Sequence, residues 1–293
     1  MYPIPANCRF VGIHRYSKWT GFLVFLMVAV SLAPTVVDTA ANKALAQVQP
    51  EDFLNYAYAT WIGTGFYRVE QRTIWVLRAP FSYMALEPGE KRKWGLKLLL
   101  PVTFGFHQFE DIPEDVGTMA FVPGVEFQYP ILKNWWVKPY GQIGLGKDFS
   151  GGSLAYIYGA GVRTRAIFPW RRFEFSLGGN LMGAGQTISG GGNDNGFSMF
   201  EIGIEGLHPT NFTFLGRNTD LSLYFILTEF IDDLDILFPL DNDIKIRRLY
   251  KIGATMGFDK PLSIWFIKLP RIGIEYIPGE DMTGIALTMG FPF

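Results

Sequence analysis

The chain reads as an all-β protein, a transmembrane antiparallel β-barrel of about 12 strands. Three observations lead there. From residue 56 to the last residue, apolar side chains recur at every second position through segments of about ten to fifteen residues. The alternate positions carry glycine and isolated charges rather than a dense solvated face. Aromatics make up 16% and charged residues only 18%, with 33 glycines, a balance that suits a sheet whose outer face meets lipid and whose strands must bend.

The first 46 residues read as a signal peptide. Arg9, Arg15 and Lys18 form a basic region ahead of the apolar run GFLVFLMVAVSL at 21–32. That run is about a dozen residues, where a spanning helix needs ~20. Ala44-Leu45-Ala46 has the A-x-A form of a cleavage site, with Gln47 next. A cut after Ala41 and an uncleaved anchor are the alternatives. The only cysteine, Cys8, precedes the apolar run, so it is no lipobox cysteine. Removal of the leader leaves no thiol for a disulfide, a nucleophile or a cysteine metal site. Residues 47–55 form a short periplasmic lead, and 56–293 the barrel.

Strands are expected near 56–68, 72–86, 93–107, 118–129, 135–147, 153–168, 172–187, 197–208, 219–231, 246–258, 263–276 and 282–293. The first two are the least regular and show no single facing. In the last, Ile285, Leu287, Met289, Phe291 and Phe293 share a face opposite Ala286, Thr288 and Gly290. In 94–107, Leu96, Leu98, Leu100, Val102, Phe104 and Phe106 oppose Lys97 and Thr103 in the same way. An even strand count puts both chain ends on one side. Short turns then fall at 87–92, 130–134, 168–171 and 259–262, and longer loops at 110–117, 189–196 and 232–244. The turn at 209–218 is longer than the pattern wants. Trp135, Trp136, Tyr140, Trp170 and Trp265 lie near strand ends, as interfacial girdles do. A soluble β-sandwich would show the same alternation and is the competing architecture.

Those features together resemble Gram-negative outer-membrane proteins. In that family a C-terminal strand with alternating apolar residues and a terminal aromatic is read by the barrel-assembly machinery. Ile285, Leu287, Met289, Phe291 and Phe293 match that motif, and Pro292 departs from its usual polar penultimate position. The strand count also resembles the translocator barrels of autotransporters, and among them the solitary autotransporter-like barrels without a passenger. Residues 47–56 are too few for a passenger or for a lumen-spanning helix.

Parity places Lys97, Lys138, Arg163, Arg165, Lys251 and Arg271 on the inward face, with Glu126, Glu174, Glu201, Glu205 and Glu275. Buried charges of both signs must pair or meet water. The favoured reading is a structural network that fills the lumen; the alternative is a charge-lined pore, which would more often show one dominant sign. Enzyme signatures are weak. His107 and His208 lack a serine two residues on, and His107 beside Glu110 and Asp111 is a spacing common by chance. Gly183-Ala184-Gly185 and 190–192 belong to barrel and loop, not to a phosphate-binding loop. The net charge of −1, with no basic stripe, gives no reason to expect nucleic acid. Acidic residues cluster at 110–115, 232–243 and 280–281, where cation-bridged contact with lipopolysaccharide is the functional alternative to a solvated loop.

The expectation is therefore an outer-membrane, non-catalytic structural or interaction barrel with a charge-paired lumen and no cofactor or metal. A porin-like small-solute channel is second. A lipid- or peptide-cleaving outer-membrane enzyme is a distant third.

Overall fold

The computed structural model describes residues 56–69, 72–89, 92–109, 116–149, 154–189, 195–236, 244–264, 267–279 and 282–293. The expected leader 1–46, the lead 47–55, Trp265 and most of the acidic loop residues lie outside them. A short helix, α1 (Tyr56–Ile62), is followed by β1 (Thr64–Val69), β2 (Arg72–Leu86), β3 (Gly95–Phe109), β4 (Val116–Phe121), β5 (Gly124–Leu132), β6 (Trp135–Asp148) and β7 (Leu154–Trp170). Then come β8 (Phe173–Ile188), β9 (Asn195–Phe214), β10 (Arg217–Ile236), β11 (Ile244–Ile264), β12 (Ile267–Ile277) and β13 (Met282–Thr288).

Every neighbour is antiparallel, and the sheet closes on itself: β1 pairs with β13 on one side and β2 on the other. β4 and β5 are two halves of a single stave, both lying between β3 and β6. The break falls at Val122–Pro123, where proline has no N–H for the ladder. Gln142 Nε2 donates to the freed Val122 carbonyl at 2.8 Å. The barrel therefore has twelve staves, and a closed barrel, not a sandwich, is what the alternation encodes.

Burial follows the alternation. On β10, Leu221, Leu223 and Phe225 are exposed while Ser222, Tyr224 and Ile226 are buried. The outer face is thus the apolar one, the reverse of a water-soluble sheet. Trp94, Trp135, Trp170, Phe173 and Phe175 are exposed near the end that carries the tight turns. His208 joins that belt, its ring 4.6 Å from Phe173. Trp136 and Tyr140 do not: both share the inward parity of Gln142, and Tyr140 is buried. Strands β9, β10 and β11 run 20, 20 and 21 residues, about twice what a tilted strand needs to cross the hydrocarbon. They project past it.

Three local features differ from the expected pattern. First, 56–62 is helical, so the first strand begins at Thr64. The motif YAYATWI carries apolar side chains at spacings that fit either period. Inside a closed barrel a free strand would leave backbone groups unpaired, whereas a helix satisfies its own. Gly63, at φ +101°, ends the helix, and the Tyr67 hydroxyl donates to the Ile62 and Gly63 carbonyls left over there.

Second, the long turn expected at 209–218 is a continuous hairpin. β9 and β10 pair as far as Phe214 and Arg217 around Leu215–Gly216. Both turn residues have positive φ, 50° and 69°, the geometry of a two-residue hairpin turn. Leucine is strained there. Leu215→Asn is expected to raise unfolding stability by about 0.5–1 kcal/mol in a urea titration of the detergent-folded barrel, and a loss of stability would count against this turn geometry.

Third, the last strand stops at Thr288. Gly290, at φ +122°, turns the chain. Ile285, Leu287 and Met289 are exposed on the outer face, but Phe291 and Phe293 are buried. The single apolar row expected over 285–293 therefore splits. The β12–β13 ladder ends at Gly273–Thr288, and the final residues, Pro292 among them, leave the sheet for the lumen.

Candidate functional site in the barrel lumen

The lumen is filled from two ends. In the half nearest the long loops sits α1. Ala57 N–H donates to Gln186 Oε1 at 3.0 Å, and the Tyr58 ring packs edge-on to Phe197 and Phe230 at 5.8 and 5.9 Å. Trp61 lies against Gly159, where an added Cβ would come within 2.6 Å of the indole. In the half nearest the turns sits the C-terminal tail. Gly178 and Gly203 are cross-strand partners on β8 and β9. A Cβ on Gly178 would collide with the Phe293 ring, and one on Gly203 would lie 2.9 Å from Phe291. These two glycines form the flat socket that receives the terminal phenylalanines. The Arg165 guanidinium lies 5.5 Å over the Phe291 ring.

Between the plugs runs a polar network. Glu201, buried on β9, accepts from Lys251 Nζ at 2.7 Å, from Thr228 Oγ1 at 3.0 Å and from Asn180 Nδ2 at 3.0 Å. Asn180 Oδ1 accepts from the Tyr140 hydroxyl at 3.2 Å. The Arg163 guanidinium stacks 4.1 Å over the Tyr140 ring and pairs with Glu126 at 3.0 Å. One relay thus links β5 to β11. A second joins Arg165 to Glu205 at 2.7 Å, with Ser176 accepting from Arg165 and Ser222 donating to Glu205 at 2.5 Å. A third pairs Arg271 with Asp220 at 2.6 Å, Thr255 accepting from the same guanidinium. Glu275 accepts from the Tyr224 hydroxyl at 2.7 Å.

The charged residues singled out in the sequence all occupy the lumen side. Arg163, Arg165, Lys251 and Arg271 are paired there with Glu126, Glu205, Glu201 and Asp220. Lys97, Lys138 and Glu174 share the inward parity but form no ion pair among the described residues. Glu174 stands at the turn end of β8, opposite Leu207. Sequence reasoning missed Arg78 and Asp220. Trp75 and Leu77 are exposed on either side of buried Val76, which puts Arg78 inside. The same parity along β10, Asp220 with Ser222 and Tyr224, would have found the aspartate.

Glu126, Glu201, Glu205, Asp220 and Glu275 are held by cations and hydroxyl or amide donors, and His208 stands on the outer face. Among the described residues no group of three His, Cys, Asp or Glu is placed to hold a metal ion. The arrangement braces the lumen wall.

The closed antiparallel barrel of twelve staves has the fold of an autotransporter beta domain. One solved structure it is similar to is the beta domain of the Bordetella autotransporter BrkA, with a TM-score of 0.54 and 11% sequence identity over 76% of this chain and 92% of that one. No protein-family model matches the chain, and no curated protein does.

Proposed function

We propose that the chain is an integral outer-membrane barrel, non-catalytic, whose lumen is closed by design: a structural or interaction barrel of the solitary autotransporter-like kind. The observation that carries this reading is the double plug, α1 in the loop half and the Phe291–Phe293 tail in the turn half, with paired charges between. A conducting pore needs a continuous aqueous path and usually one dominant sign at its constriction. Here buried rings occupy both halves of the lumen.

The route follows from the leader: export by the signal peptide 1–46, then insertion from the periplasm by the barrel-assembly machinery, with the terminal strand as its signal. The exposed apolar belt suits outer-membrane lipid. The acidic loop residues suit cation-bridged lipopolysaccharide. No part of the reading involves nucleic acid or a cofactor.

Planar-bilayer recording of the refolded chain tests it. The closed reading expects a silent bilayer; steady conductance in steps of one size would replace it by the porin-like channel. Location is checked separately. The chain is expected in the outer-membrane fraction, with faster gel migration before heating than after. Recovery in the soluble periplasm without a heat-modifiable band would refute the membrane assignment.

A further inference from the structure

Three consecutive connections at the turn end repeat one combination of side chains, a cation next to an exposed tryptophan. Between β2 and β3, the Arg92 guanidinium lies 5.3 Å over the Trp94 ring. Between β5 and β6, Lys133 is exposed two residues before Trp135. Between β7 and β8, the Arg171 guanidinium lies 5.7 Å over the Trp170 ring, with Arg172 exposed beside it. All three tryptophans are exposed. The connections are neighbours around the barrel, because β3 pairs with β5 and β6 with β7.

Local contacts fix this arc. Backbone hydrogen bonds between Gly89 and Arg92, at 2.7 and 3.2 Å, close the first connection, and the Trp94 ring packs on Phe127 of β5 at 6.3 Å. Asn134 Nδ2 donates to the Ile167 carbonyl at 2.7 Å and Trp135 Nε1 to Thr164 Oγ1 at 2.6 Å, which ties the second connection to β7. The exposed charge is one-sided: among the described residues of these connections, Arg92, Lys93, Lys133, Arg171 and Arg172 stand against the carboxylate of Glu87. The opposite end is acidic in sequence, at 110–115, 232–243 and 280–281. Exposed tryptophans seat at the membrane–water interface, and cations at that depth meet the lipid phosphates.

We propose that this arc binds an anionic glycerophospholipid of the leaflet at the turn end. The inference rests on the outer-membrane reading above and adds the lipid class and its place on the barrel. Arg92, Lys133, Arg171 and Arg172 hold the headgroup, the guanidinium forks matching phosphate oxygens and the lysine acting as a point charge. The tryptophans set the depth. The acyl chains lie against the apolar wall beside them, where Phe127, Phe168 and Leu177 are exposed. That continuity from cation to ring to apolar wall favours a lipid over a soluble acidic protein, which would meet the cations but not the wall.

The test uses the full chain refolded in dodecyl maltoside, offered phosphatidylglycerol or phosphatidylcholine with the same acyl chains and read by native mass spectrometry. Phosphatidylglycerol is expected to be retained about tenfold better, and the preference should shrink as salt is raised. Arg92→Gln, Lys133→Gln, Arg171→Asn and Arg172→Gln together should abolish the preference and leave phosphatidylcholine retention unchanged. Asparagine suits position 171, where φ is 56°. Lys147→Gln with Arg248→Gln, both exposed at the loop end, should keep the preference. The heat-modifiable gel shift reports folding of each chain, so a failure of the membrane reading appears there and not in the lipid ratio. If the fourfold variant does not fold, Lys133→Gln with Arg172→Gln should cut the preference by about threefold or more. Equal retention of the two lipids by the folded unaltered chain overturns the proposal. So does a preference that survives the turn-end substitutions or is lost with the loop-end pair.

Discussion

Glu201→Ala is expected to lower the unfolding free energy of the detergent-folded barrel by about 3–5 kcal/mol, nearer the lower figure where lumen water reaches Lys251. The carboxylate is 6% exposed and takes hydrogen bonds from three different strands, β8, β10 and β11. Its removal leaves the Lys251 ammonium and the Asn180 amide without their acceptor inside the wall. The cost comes chiefly from those stranded donors. Glu201→Gln keeps the shape and some of the acceptor capacity, so its loss should be smaller. Glu201→Gln combined with Lys251→Met should recover part of the loss, because no charge then remains unpaired. Urea titration followed by tryptophan fluorescence reads all three variants. A loss below about 1 kcal/mol for Glu201→Ala would mean that the pair is solvated like a surface ion pair.

The second large effect is on conductance. Tyr58→Ala with Trp61→Ala removes the rings that seat α1, and Phe291→Ala with Phe293→Ala empties the socket at Gly178 and Gly203. Each ring fully lost from a packed site costs about 3–5 kcal/mol, so all four should loosen the lumen markedly. Either pair alone should leave the barrel closed, because the other plug remains. The quadruple variant should give salt-dependent conductance steps in a planar bilayer, with the heat-modifiable gel shift confirming that it has folded. Gly178→Leu is a check that creates no cavity: its side chain occupies the position of the Phe293 ring and should, with the two α1 substitutions, open the same path. A folded quadruple variant that stays silent would mean that neither element is the barrier.

The buried tail also separates two roles for the terminal aromatics. In the resemblance to outer-membrane proteins, Phe291 and Phe293 extend the assembly signal of Ile285, Leu287 and Met289. In the folded barrel the first three face outward and the phenylalanines inward. An assembly factor would therefore meet all five on one strand only before the tail turns at Gly290.

The barrel and its facing were legible in the sequence because strand periodicity is local. Side chains two apart share a face whatever lies beside them, so Leu96 through Phe106 and Ile285 through Met289 declared the outer wall, and Lys97, Glu126 and Glu201 the inner one. The helix at 56–62 was not legible, since seven apolar-rich residues fit either period, and only enclosure by the finished wall favours self-contained hydrogen bonds. Nor was the inward turn of Phe291 and Phe293, which depends on two glycines more than eighty residues away meeting as cross-strand partners. The hairpin at Leu215–Gly216 escaped because leucine is a poor marker of a positive-φ turn. Composition showed that the inward charges nearly cancel. Which cation meets which carboxylate is set by strand register and barrel closure, both products of contacts remote in sequence, so the tertiary structure alone decided that Arg163, Arg165, Lys251 and Arg271 find carboxylates at ion-pair distance while Lys97 and Lys138 form no ion pair among the described residues.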